Sequence, residues 1–225
     1  MRFVLARTLN PVLEPVTLAE AKLHLRSYTS DIAEDDLING LLVAAREWVE
    51  DYTGRALVEQ RWSLSLDRRI GNAPGIRMVP PPVPANGYGW YTGEWTESVA
   101  GWLLRKSPVI AITEFVSIAE DGTETAIDPA TYRLCDADSK WPMIAPVPSG
   151  VWSGDVFRIT YRAGYAAGIG SPDPTPDVAL VPQRYKQAIM LHAEAHYDRD
   201  ERMMVPLLTA AENLIKPERC ELSLA

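Results

Sequence analysis

The residues with the clearest capacity for chemistry are two histidines four positions apart, His192 and His196. Histidines at this spacing share one face of a helix and could bind zinc, with Asp198 or Asp200 as a third ligand. The metalloprotease pattern requires a glutamate directly after the first histidine. Glu194 comes two residues later, about 200° around the helix, and is predicted to point away from both rings. We therefore expect a pair in a core or interface, and a metal-dependent hydrolase using both histidines is the alternative.

Other patterns that could do chemistry fail on their context. The glycine-rich stretch 164–170 follows a predicted strand, as a phosphate-binding loop does. The prolines after it cannot open the helix whose N-terminal amides would bind the phosphate. Acidic residues at 31–36 suit the first turn of a helix and need no metal ion. Cys135 and Cys220 lack metal-site spacing and are expected to be reduced thiols. We expect no catalytic, cofactor-binding or metal site, and hence no enzyme.

The composition indicates a folded protein that does not bind nucleic acid electrostatically. The 225 residues are 47% apolar, enough for one sizeable core or two small ones. With 22 basic and 30 acidic residues the formal charge is −8, so there is no basic surplus to displace counterions from DNA. The first nine residues lack the apolar core of a signal peptide, and no apolar run approaches the ~20 residues that span a bilayer. We expect a protein made in the cytoplasm, without a membrane partner.

The beginning of the chain predicts two helices. Thr17 and Glu20 have the spacing of a capping box, in which each side chain hydrogen-bonds to the other residue's backbone amide. Asp31 and Glu34 repeat this spacing and predict the start of the second helix. Gly54 stands where a left-handed residue ends a helix. Between them, apolar residues recur at helical spacing and predict one buried face: Leu37, Ile38, Leu41, Leu42, Ala45, Trp48, Val49 and Tyr52.

The middle of the chain predicts β-structure. From residue 58 to 67 apolar and polar residues alternate with period two, as in a strand with one buried face. Asp121-Gly122 is a hairpin signal, because glycine accepts the positive φ of such turns. The strands are short and close in sequence, so we expect an antiparallel sheet or small barrel. The other predicted strands are 110–118, 125–127, 132–135 and 156–161.

The end of the chain is predicted to be helical again. Residues 164–182 are rich in Gly, Pro and Asp and predict a loop, and Pro182 suits the first turn of a helix. That helix carries Tyr185, Ala188, Ile189, His192 and His196 on one face. A last helix is expected from near Pro206 to Pro217. The predicted fold is α+β, with a helical bundle formed by residues 1–57 and 182–225 and an antiparallel β-rich insertion at 58–181.

Two segments are candidates for contacts with other molecules. Residues 71–102 are rich in Pro and Gly and carry five large aromatic residues, Tyr88, Trp90, Tyr91, Trp95 and Trp102. Exposed aromatic side chains on a loop bury much area for few frozen torsions, so they favour an interface. The alternative is that they close over the sheet as a satellite core. After Pro217, the tail 218–225 bears Leu222 and Leu224 but is too short to build its own core.

The chain resembles the head-tail connector, or adaptor, proteins of long-tailed bacteriophages and phage-derived particles. The resemblance begins with Pro15-Val16-Thr17-Leu18-Ala19-Glu20-Ala21-Lys22-Leu23-His24-Leu25-Arg26. It continues in the family's order through further short blocks. Each block is weak alone, and their order and spacing make the match specific. The blocks are residues 60–67, 104–110, 128–133, 161–165 and 181–189.

The resemblance implies a virion structural protein of the neck, made in the host bacterial cytoplasm. Such a connector forms a homo-oligomeric ring, twelve-fold by family analogy, beneath the portal protein and extends the DNA channel towards a tail-side neck or tail-terminator protein. DNA would pass without sequence-specific binding, and an acidic wall would let it slide. The resemblance also implies that residues 71–102 contain an insertion, and that the tail with Leu222 and Leu224 is disordered alone and docks on the portal. A monomeric phage-encoded module that binds a host factor through the aromatic loop is the other alternative.

Overall fold

The computed structural model describes residues 2–26, 32–67, 101–147, 152, 154–171, 173–197 and 201–220. The structure combines α-helices with antiparallel sheets, which confirms the expected α+β class. Within the described residues, no helix is long and apolar enough to cross a membrane. The α-helices there are α1 (Leu18–His24), α2 (Asp35–Thr53), α3 (Gln183–Tyr197) and α4 (Glu201–Ile215).

The main sheet has five antiparallel strands in the order β1-β2-β8-β4-β5. Its alternating residues turn one face of β2 and β8 into the core, and Leu64 lies opposite Ile159 in the register. The predicted turn at Gly122 is present, with φ 85°. The strands are β1 (Arg2–Leu9), β2 (Gln60–Asp67), β4 (Val109–Ile118), β5 (Glu124–Ala126) and β8 (Val156–Ala163).

The shorter strands form two further sheets. A three-stranded sheet has the order β3-β7-β6, and its Trp102 and Ile144 join the core of the main sheet. A two-stranded ribbon pairs β9 with β10. Of these, only β6 was expected from the sequence. The strands are β3 (Trp102–Leu103), β6 (Tyr132–Cys135), β7 (Met143–Pro146), β9 (Ala166–Ala167) and β10 (Thr175–Pro176).

The first strand was not expected. Residues 1–57 were predicted to be a helical part, but β1 occupies Arg2–Leu9 and pairs with β2 from Arg2 opposite Asp67 onwards. Strand β1 is at the edge of the sheet, and its residues from Val4 to Leu9 are exposed or half-buried. Of the side chains from Val4 to Leu9, Leu5 packs against the core of the sheet while the others are exposed. A strand with so few buried residues lacks the clear alternation on which sequence prediction depends.

The helix caps confirm two predictions and correct a third. The Thr17–Glu20 capping box is present, and Gly54 ends α2 in the left-handed conformation with φ 72°. Helix α2, however, begins at Asp35, with Glu34 as a cap residue that makes no capping hydrogen bond. The Glu34 carboxylate instead accepts a hydrogen bond from the Tyr197 hydroxyl. The predicted start at Asp31 is therefore wrong, because the side chain of Glu34 is used in a tertiary contact.

The last helix begins earlier than predicted. Helix α4 starts at Glu201, and Pro206 lies inside it. A proline here removes only the hydrogen bond to the carbonyl of residue 202, in the second turn and on the exposed side of the helix. The predicted end is confirmed, since α4 stops at Ile215 and Pro217 lies in a following 3-10 turn.

A buried carboxylate joins the helices to the main sheet. Glu50 Oε2 accepts from Arg46 Nη1 at 2.7 Å, and Glu50 Oε1 accepts from the Leu57 amide at 2.8 Å and from Gln60 Nε2 at 2.6 Å. Arg46 Nε also donates to Glu14 Oε2 at 2.8 Å. These bonds satisfy both charges and fix β2 against the C-terminal half of α2.

Candidate functional site

The two histidines of the predicted zinc pattern lie together on α3 and differ in exposure. Their ring centroids are 4.7 Å apart, and the His192 ring stacks on Trp48 of α2 at 4.7 Å. His192 is 9% exposed, and its Nδ1 atom has no hydrogen-bond partner among the described residues, whereas His196 is exposed. Burial, and secondarily the neighbouring His196, lower the pKa of His192 to about 4. A neutral imidazole packed on tryptophan is a core residue of the α2–α3 contact.

The glutamate of the pattern faces another helix. Glu194 Oε2 lies 2.9 Å from Nε2 of His24, so this pair links α3 to α1. In the described part of the chain no three His, Cys, Asp or Glu side chains converge as metal ligands. Asp198 and Asp200, the suggested third ligands, lie outside the described residues. The geometry that the structure shows at His192 and His196 is therefore that of packing.

The glycine-rich stretch after β8 has a structural explanation. A Cβ atom on Gly164 would lie 2.6 Å from the carbonyl carbon and oxygen of Val58, and the residue has φ 135°. Only glycine allows the chain to leave β8 so close to the start of β2. The described residues that follow form β9, β10 and a 3-10 turn at Val178–Leu180 before α3 begins. Glycine at position 164 is thus explained by the close approach of its backbone to Val58.

The residues proposed from sequence as interface candidates are Tyr88, Trp90, Tyr91, Trp95, Leu222 and Leu224, and all of them lie outside the described residues. Trp102, the last aromatic residue of the 71–102 segment, is described and is buried in β3. Its ring packs against Phe115, Trp152 and Phe157 at centroid distances of 4.9–5.9 Å. At least this end of the segment is core, as the alternative interpretation had it.

The C-terminal segment is held by polar contacts as far as residue 220. Glu218 pairs with Arg184 at 2.6 Å and with Arg55 at 3.4 Å, and the Cys220 amide donates to the Thr53 carbonyl at 2.9 Å. The expectation that the tail is disordered alone is therefore wrong for residues 218–220. These contacts hold residues 218–220 against the C-terminal end of α2.

The arrangement of α1, α2 and β2 coincides with the range of a known family. Residues 15–80 match the phage gp6-like head-tail connector family. The matched range contains the Thr17–Glu20 capping box, the Gly54 cap and the Glu50 contacts, so the features that orient α1 and α2 against the sheet fall within it. The resemblance seen in the sequence is confirmed over this range.

Solved structures share the fold over nearly the whole chain. The neck of an empty gene transfer agent particle, computed with C6 symmetry, contains a chain with a TM-score of 0.65 and 23% identity, over 97% of this chain and 98% of that one. The virion of a native gene transfer agent particle gives a TM-score of 0.65 at 21% identity, with the same coverage. The neck of a native particle, computed with C12 symmetry, gives 0.61 at 19%, also with the same coverage. A search of the curated proteins found no match.

The outward faces of two helices are the described surfaces that sequence reasoning missed. Helix α3 packs against both α2 and α4, while α2 and α4 meet near their C-terminal ends, where Tyr52 Oη donates to Glu212 Oε1 at 2.9 Å. The outer faces of α2 and α4 carry exposed apolar residues: Leu37 (47% exposed), Val43 (38%), Met203 (50%) and Val205 (67%). The signal was available in the sequence, since both helices have apolar residues beyond one buried stripe.

Proposed function

We propose that this chain is a head-tail connector, a non-enzymatic structural protein of the neck of a phage or phage-derived particle. The observation that carries the proposal is the agreement between the family match over residues 15–80 and the fold likeness to neck chains over 97% of the chain. The first match rests on residue identities and the second on the course of the backbone. Within the described residues no group of three possible metal ligands includes His192 and His196, so the hydrolase alternative gains no support there.

The connector acts as a ring beneath the portal, with twelve copies, that extends the DNA channel and receives the tail-side neck or tail-terminator protein. Support for a ring comes from the related necks, which were computed with C6 and C12 symmetry. The formal charge of −8 suits a wall past which DNA moves, since a basic wall would bind phosphates through counterion release. In this role DNA passes through the channel without sequence-specific binding, and the binding partners are proteins.

Further contacts follow from the sequence and belong to the same proposal. The aromatic residues Tyr88, Trp90, Tyr91 and Trp95 contact a neighbour in the assembled neck, and Leu222 and Leu224 dock on the portal. The chain divides into the helical parts 1–57 and 182–225 and the β-rich part 58–181, with β1 added to the sheet. The helical parts share one apolar cluster that includes Val49, Ile189 and Ile215, which supports this division.

Imaging tests the proposal directly. The purified full chain is examined by negative-stain electron microscopy, alone and with its portal protein, and its mass is measured in solution. We expect rings that stack coaxially on one end of the portal. A chain that stays monomeric at micromolar concentration and does not attach to the portal would favour the host-binding module instead. Stoichiometric zinc that is lost in His192→Ala would favour the hydrolase.

A further inference from the structure

We infer that neighbouring copies in the ring meet through two helices, the outward face of α2 on one copy and the outward face of α4 on the next. This inference rests on the proposed ring and names the surfaces that build it. The outward face of α2 is defined by Asp36, Leu37, Gly40, Val43 and Glu47, all exposed. The outward face of α4 is defined by Arg202, Met203, Val205, Pro206, Thr209 and Lys216, the last in the following 3-10 turn, and all are exposed.

The centre of the α2 face is open to a close partner. Asp36, Gly40, Val43 and Glu47 follow one another at spacings of four, three and four, so they form one line along the helix. A Cβ atom on Gly40 would have no atom within 4 Å, so packing within the copy does not require glycine there. Glycine in a helix interior destabilises the helix relative to alanine. Its presence between two exposed apolar residues is explained if a second helix packs against it.

The α4 face offers the helix that fits this line. Of the α4 side chains whose burial is described, Ala211 and Ile215 are buried, while Val205 and Met203 are at least half exposed at its N-terminal end. The Thr209 hydroxyl is satisfied within the helix, because it donates to the Val205 carbonyl at 2.8 Å. From Met203 to Thr209 the face is therefore largely apolar, and the exposed Asn213 follows before Lys216. A largely apolar centre is expected for a surface that is covered on assembly.

The charges at the ends of the two faces are opposite. The line on α2 begins and ends with acidic residues, Asp36 and Glu47, and the α4 face begins and ends with basic residues, Arg202 and Lys216. Glu47 also pairs with Arg7 of its own copy at 3.4 Å. Opposite charges around an apolar centre favour this pairing and disfavour α2 against α2 or α4 against α4. The charge pattern thus selects a second copy in head-to-tail orientation.

The order of the helices agrees with a closed ring. Contacts that relate copies by rotation through less than half a turn are heterologous, so each copy must present two different, complementary surfaces. Helix α3 lies in contact with both α2 and α4, so these two helices flank it. Joining α4 of one copy to α2 of the next repeats the sequence of helices α2, α3 and α4 around the ring. The two outward faces, which are exposed in one copy, then cover each other.

The first test separates folding from assembly at Gly40. In full-length protein we expect Gly40→Ala to raise the thermal midpoint of the isolated chain by a few degrees, because alanine favours the helix. Gly40→Leu should fold equally well but assemble about tenfold or more less tightly, since its side chain fills the line where the partner helix packs. Gln187→Leu, at an exposed position of α3, is the matched control and should assemble like the wild type. Wild-type assembly by Gly40→Leu would overturn the inference.

The second test detects the contact covalently. In full-length chains with Cys135 and Cys220 replaced by serine, the pair Val43→Cys and Val205→Cys should give a ladder of disulfide-linked multimers on mild oxidation. Each single variant can give at most a dimer, and Leu180→Cys with Val205→Cys controls for random collision. A ladder supports the inference even if rings are weak. Rings without a ladder overturn the inference and leave the connector proposal standing, whereas a monomer without a ladder contradicts both.

Discussion

The Arg46 guanidinium and the Glu50 carboxylate, one turn apart on α2, form an ion pair at 2.7 Å in which both residues are at most 3% exposed. Glu50 Oε1, the carboxylate oxygen not bonded to Arg46, accepts from the Leu57 amide and the Gln60 side chain, which places the first strand of the β-rich part. Glu14 is the second carboxylate at this guanidinium, and burial raises its pKa although Arg46 opposes the shift. The network therefore consists of Arg46, Glu14 and Glu50. Such a network stabilises the fold only while every member is present.

Removing one member of this pair should be strongly destabilising. Glu50→Ala leaves a buried arginine with one fewer partner and two donors unsatisfied, so we expect the free energy of unfolding to fall by about 3–5 kcal/mol. The measurement is urea unfolding followed by tryptophan fluorescence. Glu47→Ala, one turn earlier and exposed, is the control and should change stability by less than about 1 kcal/mol. Equal effects of the two variants would show that the buried network does not stabilise the fold.

The buried histidine should make the protein sensitive to acid. The pKa of His192 is lowered from 6.5 to about 4 in the folded chain, so below pH 6.5 the unfolded state binds a proton that the folded state does not. The contribution of His192 to the free energy of unfolding is therefore fully present above pH 6.5. Between pH 6.5 and pH 4 it is lost at about 1 kcal/mol per pH unit. Unfolding titrations at several pH values measure this slope. His192→Phe, which keeps a ring on Trp48, should remove this part of the slope.

Residues 217–220 should be needed for stability, whereas residues 221–225 should not. Truncation after Lys216 removes Glu218 and Cys220 and their contacts to Arg55 and Thr53, so we expect a loss of about 1–3 kcal/mol. Truncation after Cys220 should leave the thermal midpoint unchanged and weaken attachment to the portal. Differential scanning calorimetry and a portal pull-down measure the two effects. Portal attachment at wild-type strength by the second truncation would show that Leu222 and Leu224 are not docking residues.

The aromatic segment should tolerate deletion up to, but not including, its last residues. Deleting residues 84–99 should preserve the cooperative melting transition while weakening a contact in the assembled neck. Trp102→Ala, by contrast, should lower the free energy of unfolding by about 3–5 kcal/mol, because the ring is buried among Phe115, Trp152 and Phe157. If the deletion abolishes the cooperative melting transition, the other aromatic residues of the segment belong to the core as well.

The sequence predicted the long elements whose apolar periodicity reveals a buried face, and it missed β1 and the short strands β3, β7, β9 and β10. The apolar stripe of α2 and the alternation of β2 and β8 each reveal one buried side, and these elements were predicted within a few residues. From Val4 to Leu9, β1 has no fully buried residue, and the role of Glu50 depends on the Leu57 amide seven residues away. Neither could therefore be recognised from periodicity. Tyr197 lies far from Glu34 in sequence, and only the fold shows that its hydroxyl takes the carboxylate expected to cap α2.

The order of the strands constrains how the chain folds during synthesis. Strand β8 pairs with β2 on one side and β4 on the other, yet it comes after both in the chain, at Val156–Ala163. Helix α3, which contacts both α2 and α4, is likewise made late, at Gln183–Tyr197. Long-range pairing of this kind is slow and leaves apolar surface exposed until the last partner arrives. The core of the main sheet cannot form before Ala163 has been synthesised, and the contacts of α2 with α3 cannot form before Tyr197. Until then the apolar faces of α2 and the early strands are accessible to chaperones.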